Sequence, residues 1–464
     1  MKKVLLGTTA LLAAGMFAGP ALGQARTPMT ATNFNLTLGG YTQFRVEYQS
    51  KSPVQDVTTV DAYGNLTNQP RKDNFDFDAE LEFRGAATLS NGVKMGWELE
   101  LEAGGQELLD LSAATGTTGG TTVADADIID DNFMYVQGRW GKVTMGGFSV
   151  TSLDIGVART FTGAGAIDLN DAAGDAVAVA GTNRASFTNS LQINNGRNRI
   201  EYAPPSIAGF RFLLAYAPDL DGGENSVRAT ERDDVNAQDR DIYAATQWAG
   251  AVMGNKLRVS AAWATTRPET KTPSAAATDP TAVQISSNNR WRLGADIELL
   301  GFTIGAYYRD QIRNAANVAV DEAMDTYGIG ATYQLGVWEF GAALEKAKTE
   351  QRTALVAGGT GGDLLGDDKA TRWDIGVNYT GLGAGKTIRL GMRKETWKDD
   401  QANPDNEAKN RSIDLRYEWD VGPGLEFDVG YQNYRYTHHV GLDATDTQDQ
   451  RTAHGIFVQT KLTF

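Results

Sequence analysis

The chain has 464 residues, with 58 acidic against 43 basic side chains and a formal net charge of −15, and so acidic a protein disfavours nucleic acid as a partner. It contains no cysteine, which removes disulfides, thiol chemistry and thiolate metal sites together. The length would suggest two or three ordinary domains, yet a closed β-sheet runs long as a single one.

Met1-Lys2-Lys3, the apolar run Val4 to Ala18 and the small residues up to Ala25 read as a secretory signal over 1–25, cleaved after Gly23 or after Ala25. The run is too short to anchor in a hydrocarbon core about 30 Å thick. No later segment reaches 18 apolar residues, so no membrane-spanning helix is expected. Losing Lys2 and Lys3 takes the formal charge from −15 to −17. The remainder, 26–464, is expected to be one domain.

From residue 36 to the end, segments of alternating apolar and polar residues recur: LTLGGYTQFRVEY (36–48), FDFDAELEFRGA (75–86), VKMGWELELEA (93–103), RWRLGADIELL (290–300), FTIGAYYRD (302–310), WDIGVNYT (373–380), IDLRYEW (413–419) and LEFDVGY (425–431). Period two means a strand with one wet and one greasy face. Helical spacing fails, since Phe75, Phe77, Ala79, Leu81 and Phe83 would wrap right round a helix. Short connections such as Ser90-Asn91-Gly92, Pro204-Pro205, Gly301, Gly336 and Gly422-Pro423-Gly424 carry turn residues. They alternate with long polar stretches at 49–72, 104–130, 149–196, 219–239, 267–289, 349–371 and 399–410. That rhythm predicts an all-β, antiparallel up-and-down transmembrane barrel of 16–18 strands, with short periplasmic turns and long extracellular loops. The hairpin count is 18, and an even number lets the last strand close on the first.

Parity assigns the faces. Phe75, Phe77, Leu81 and Phe83, then Met95, Trp97, Leu99 and Leu101, then Ile388, Leu390 and Met392 share one side. Glu80, Glu82 and Arg84, then Glu98, Glu100 and Glu102, then Arg389 and Arg393 share the other. Eighteen strands enclose more volume than side chains can fill, so the apolar side turns to lipid and the polar side lines water. Tyr41, Tyr48, Trp248, Trp291, Tyr307, Tyr308, Trp338, Trp397, Trp419 and Tyr431 lie near segment ends and are read as interfacial girdles.

The signal segment, the opening strand ending LGGYTQFRVEY, the long insertion after the fifth strand and the terminal strand ending in Phe464 together resemble the general bacterial porins of Gram-negative outer membranes, in their alphaproteobacterial branch. The resemblance covers the whole mature chain. It implies a homotrimer of channels that pass ions and small hydrophilic solutes by passive diffusion. It also implies contact with outer-membrane lipid and lipopolysaccharide. Ile456, Val458, Thr460, Leu462 and Phe464 resemble the signal read by the outer-membrane assembly machinery. Two features depart from the family. Its usual strand number is 16, and the third loop here lacks the Pro-Glu-Phe-Gly run of enterobacterial members.

The stretch 149–196 is the longest connection, and a structureless loop of that size usually has a function. The resemblance folds it into the pore as a constriction loop carrying Asp154, Asp168, Asp171 and Asp175. Facing it, parity turns Arg45, Arg84, Arg199, Arg211, Arg389, Arg393 and Arg416 into the lumen. Each arginine has a competing reading as a wall ion pair, with Glu80, Glu82 and Glu98 as available partners. Lumen acids outnumber bases on the first three strands, which predicts a weak cation preference.

The alternative is an 18-stranded, sugar-type specific channel, although lumen-parity aromatics (Tyr41, Tyr135, Tyr243, Tyr307) form no ladder. No cofactor and no enzymatic activity are expected: His438 and His439, placed in the last outer loop, and His454 lack metal-ligand spacing and nucleophile partners. Acid clusters assigned to outer loops (Asp125, Asp127, Asp130, Asp131; Asp367, Asp368; Asp399, Asp400; Asp443, Asp446, Asp449) could hold Ca²⁺ loosely.

Overall fold

In a computed structural model of the protein, the described residues are 31–50, 73–104, 129–150, 152–156, 158, 191, 198–219, 238–268, 285–315, 320–353, 367–398, 407–440 and 447–464. The signal expected over 1–25 lies outside them.

The alternating segments become strands. They are β1 (Ala31–Gln49), β2 (Asp73–Leu89), β3 (Lys94–Gly104), β4 (Ile129–Gly138), β5 (Gly141–Gly147) and β6 (Asn198–Ala203). Next come β7 (Phe210–Asp219), β8 (Gln238–Val252), β9 (Asn255–Pro268), β10 (Ile285–Leu299), β11 (Phe302–Ala315) and β12 (Val320–Leu335). The series ends with β13 (Trp338–Thr353), β14 (Asp367–Tyr379), β15 (Lys386–Lys398), β16 (Glu407–Gly422), β17 (Leu425–Val440) and β18 (Thr447–Thr463).

Each strand pairs antiparallel with its sequence neighbours, and β1 also pairs with β18, so the 18-stranded sheet closes. The expected range of 16–18 resolves at the hairpin count. At the seam Tyr41 stands opposite Glu80 on one side and Thr463 on the other. Phe464 completes it, exchanging backbone hydrogen bonds with Gly40 at 3.1 and 3.2 Å. Closure leaves no row of unpaired N–H and C=O groups, which a hydrocarbon environment would penalise by several kcal/mol each.

Two of the tight turns show why glycine is needed. Met253-Gly254 and Leu300-Gly301 have positive φ at both positions (51° and 82°; 53° and 84°), the type I′ geometry whose twist matches a two-residue hairpin.

The outer surface is apolar: Phe75 is 67 % exposed, Ile329 55 % and Leu390 46 %. A row of such residues on every side has no place in water and suits acyl chains. Strands also reach further than the sequence pattern suggests. β10 begins at Ile285, and His438 and His439 belong to β17 rather than to a loop. Asp130 and Asp131 are in β4, Asp367 and Asp368 in β14, and Asp449 in β18. Beyond the apolar band both faces of a strand are polar, so the ladder continues where hydropathy no longer alternates.

Candidate functional site

Inside the barrel, β7 to β9 depart from the polar lining found elsewhere. Leu213, Ala215, Ala217, Tyr243, Ala245, Ala262 and Ala264 point inward and form a buried apolar cluster with Val150, Leu153 and Leu191 from the long connection. Small side chains leave a shallow bed, and the root of the connection lies in it. Ile155 N–H donates to Ser260 Oγ (3.1 Å), and Gln247 Nε2 donates to the Leu153 carbonyl (3.0 Å). On β10 and β12, Gly294 and Gly330 leave room for backbone: a Cβ would collide with the Ile155 carbonyl at the first and the Ala158 carbonyl at the second. The described ends of 149–196 therefore turn into the lumen, as expected.

Arg292 of β10 fixes this root. Its Nη1 lies 3.3 Å from Asp154 Oδ2, its Nη2 donates to the Ile155 carbonyl (2.8 Å), and both charged side chains are almost fully buried. The same Asp154 oxygen accepts the Leu191 N–H (3.1 Å), tying the far end of the connection to the near one. The buried pair holds geometry, whereas either partner alone would be a buried charge.

From Arg292 an ion-pair system runs along the wall. Its guanidinium lies 4.5 Å from the Tyr307 ring centroid. Tyr307 OH donates to Glu345 (2.7 Å), and Glu345 accepts from Arg372 Nε (2.8 Å). Arg372 also meets Glu395 at 3.5 Å, and Arg393 meets Asp374 at 2.7 Å. Arg290 lies 3.5 Å from Asp241. Sequence reasoning missed Arg290, Arg292 and Arg372. The signal was present in the lumen parity of Arg290 and Arg292 in RWR (290–292).

The opposite wall is acidic. β3 is nine strands from β12 either way round the ring. On β2 and β3, Glu82 stands directly opposite Glu100, and Glu80 opposite Glu102. Carboxylate oxygens of Glu80, Glu82 and Glu100 lie within 4.8 Å of one another, as do those of Glu100, Glu102 and Asp130. Arg84 is bound into this wall, 2.6 Å from Glu82 and 3.0 Å from Glu98. All-oxygen donor sets of this kind attract hard cations. Glu82 and Arg292 both lie near the middle of their strands.

The remaining expected residues divide. Arg45 pairs with Glu47 (2.7 Å) and Asp76 (3.3 Å), and Arg389 with Glu418 (2.8 Å). Arg199 is buried with its guanidinium 5.5 Å from the Phe148 ring centroid, Arg211 is exposed beside a short turn, and Arg416 lies 5.3 Å from the Phe457 ring centroid. Asp168, Asp171 and Asp175 lie outside the described residues, as do Asp125, Asp127, Asp399, Asp400, Asp443 and Asp446. Three aromatics assigned to girdles point inward, Tyr41 and Tyr307 in agreement with their lumen parity and Trp397 against its girdle reading. Tyr41 donates to Asp78 (2.9 Å), Tyr307 joins Glu345, and Trp397 packs on Ala347 and Ala370. Girdle pairs do form elsewhere, such as Trp338 with Tyr379 (4.4 Å) and Trp291 with Tyr308 (5.0 Å).

Residues 7–439 match the family model described as Gram-negative porin. Solved structures with a similar fold include an anion-selective porin from Comamonas acidovorans (16 % identity, 93 % of this chain and 100 % of that one, TM-score 0.43). Others are a trimeric form of OmpT, an outer membrane protein of Vibrio cholerae (10 %, 92 % and 99 %, TM-score 0.43), and the outer membrane channel DcaP of Acinetobacter baumannii (9 %, 96 % and 100 %, TM-score 0.44). No curated protein matches the sequence closely enough to add a relative.

Proposed function

The chain belongs to the Gram-negative porin family, and from that premise we propose a passive diffusion channel of the outer membrane whose aperture is set by the loop rooted on β7–β12 and whose ions are sorted by the acidic wall of β2–β4. The channel and its location follow from family and closed barrel together. The sorting rests on one observation: carboxylates crowd one side of the lumen, while the arginines opposite are tied into ion pairs with Asp154, Glu345, Glu395 and Asp374. Paired charges leave little field in the water, so the net potential along the path is negative and favours cations weakly.

Asp168, Asp171 and Asp175 are proposed to add to the constriction. Family membership supports a homotrimer, contact with lipopolysaccharide, and recognition of the strand ending in Phe464 by the assembly machinery. It supports a transport role without catalysis. Loose Ca²⁺ binding at acidic groups near the outer mouth belongs to the same proposal. The sugar-specific alternative gains nothing from the lumen aromatics, since Tyr243 and Tyr307 are buried against the wall.

Reconstitution into planar bilayers tests the reading. Expected are stepwise conductance, three levels per insertion, and a reversal potential in a salt gradient of the sign set by cations. Dominant anion current would overturn the sorting, and block by linear oligosaccharides would favour the sugar channel.

A further inference from the structure

The lumen wall of β15–β18 carries polar groups that neither the described loop root nor the ion-pair system uses. Asp414 of β16 and Gln432 of β17 stand directly opposite each other and are buried, 6 % and 1 % exposed. Asp414 Oδ2 and both Gln432 amide atoms, Oε1 and Nε2, have no hydrogen-bond partner. Among the described residues, no other buried side chain leaves both a donor and an acceptor unmet. Such groups cost free energy until something satisfies them. Their neighbours in register bring no side chain that could: Gly391 flanks Asp414 on β15, and Gly455 flanks Gln432 on β18. Arg393, two positions along β15 from Gly391, is committed to Asp374 through contacts of 2.7 and 3.4 Å.

One row nearer the short turns, the charge reverses. Arg416, the next inward residue of β16, stands opposite Gly430. Its ion-pair contact is the Glu418 carboxylate at 3.7 Å, which Arg389 holds more closely, at 2.8 Å. The Phe457 ring fills the space over Gly430, where a Cβ would collide with it, and borders the Arg416 guanidinium at 5.3 Å. Arg416 and Glu418 are partly exposed, so the patch opens on the short-turn side. From Trp419 to Asp414 is five residues. At about 3.4 Å per residue and a tilt near 40°, that rises about 13 Å, the middle of an apolar band about 25 Å tall. A carboxylate, a carboxamide and a guanidinium thus line the lumen at mid-height, with successive inward positions about 7 Å apart.

We infer that this wall holds a site for a small zwitterion of the α-amino acid class. The ammonium group donates to Asp414 Oδ2 and Gln432 Oε1, and the carboxylate accepts from Gln432 Nε2 and the Arg416 guanidinium. Every unmet atom of the pair then has a partner, and both charges of the solute are answered. A solute with only the cation leaves Gln432 Nε2 unmet and faces Arg416; one with only the anion faces Asp414. The inference deepens the channel reading, on which it rests, by naming a solute class that pauses at the wall as it diffuses through.

The test measures saturable binding to the whole channel in neutral detergent by saturation-transfer NMR. The probes are L-alanine, its amide (cation only) and N-acetyl-L-alanine (anion only). The wild type should prefer L-alanine to both. Hydrogen bonds to charged groups are each worth about a ten- to hundredfold factor in affinity, so Asp414→Asn and Gln432→Leu should each weaken L-alanine by that much. Thermal melting gives a second readout. Without a probe, Gln432→Leu should melt at or above the wild type, because a buried amide with no partners has been replaced by an apolar group of similar size. A lower melting point would show that the amide is already satisfied in the resting channel, by water or by the chain, and overturns the site. Equal binding of the three probes overturns it too, as does undiminished L-alanine binding in the variants. Conductance separates this from the channel reading: a conducting wild type that does not bind L-alanine sinks the site alone, whereas a non-conducting wild type sinks the channel.

Discussion

The two walls of the lumen are built by the same alternation and do opposite things. On β2–β4 the inward positions carry a crowd of carboxylates, opposed in register at Glu82–Glu100 and Glu80–Glu102, with Arg84 bound among them and water screening the rest. On β7–β9 the inward positions include a run of alanines with Leu213 and Tyr243, with glycines at 294 and 330 beyond them, and the chain itself covers them. Period two therefore assigns faces but does not say that every inward face is wet. Where a wall is small and apolar, the cheapest cover is a loop, and the pore is narrowed from that side.

The comparison can be broken most forcefully at Arg292. Arg292→Ala leaves Asp154 as a buried charge without its cation, a loss of about 3–5 kcal/mol in loop docking. The expected result is a larger single-channel conductance and faster proteolysis within 149–196. Unchanged conductance would mean that the root is held elsewhere. Leu390→Arg attacks the outer face that both walls share. It should lower unfolding stability by about 2–4 kcal/mol, measured by denaturant in micelles, since Leu390 lies midway along β15 among lipid-facing residues.

Glycines sharpen the contrast. Gly330→Ala places a methyl against the Ala158 carbonyl and should cost about 1–3 kcal/mol. Gly39→Ala, whose new carbon would meet the Glu82 carboxylate at 3.4 Å and the Phe464 carbonyl at 3.5 Å, both ordinary contacts, should stay within about 0.5 kcal/mol. Equal costs in thermal melts would argue against a docked loop. The smallest effect belongs to Glu80→Gln/Glu82→Gln/Glu100→Gln, which should reduce the cation-to-anion permeability ratio about twofold in reversal-potential recordings.

Much of this was legible before any coordinates. Strand number, closure and the outward rows at Phe75–Phe77 and Ile388–Met392 follow from hydropathy alternating with period two. The dry wall did not stand out, because β7–β9 are apolar on both faces, as in FLLAYA (212–217), and parity loses contrast there. The Arg292–Asp154 pair was invisible for another reason: the partners are 138 positions apart, and only closure of the sheet brings them together. Trp397 was misplaced, and Tyr307 carried both a girdle and a lumen reading, because nearness to a strand end says nothing about which face a side chain occupies. The strand ends near His438 and Asp130 were missed because the ladder outlasts the apolar band.

The absence of cysteine permits the most direct test, which is thiol accessibility in the conducting channel. Glu82→Cys, Ala264→Cys and Leu390→Cys place single thiols on the open wall, beneath the loop and in the lipid. A small, charged thiol reagent that cannot enter the membrane should modify the first rapidly and lower its current. It should leave the second and third nearly untouched. Equal rates at positions 82 and 264 would contradict a lumen with one watered wall and one covered wall.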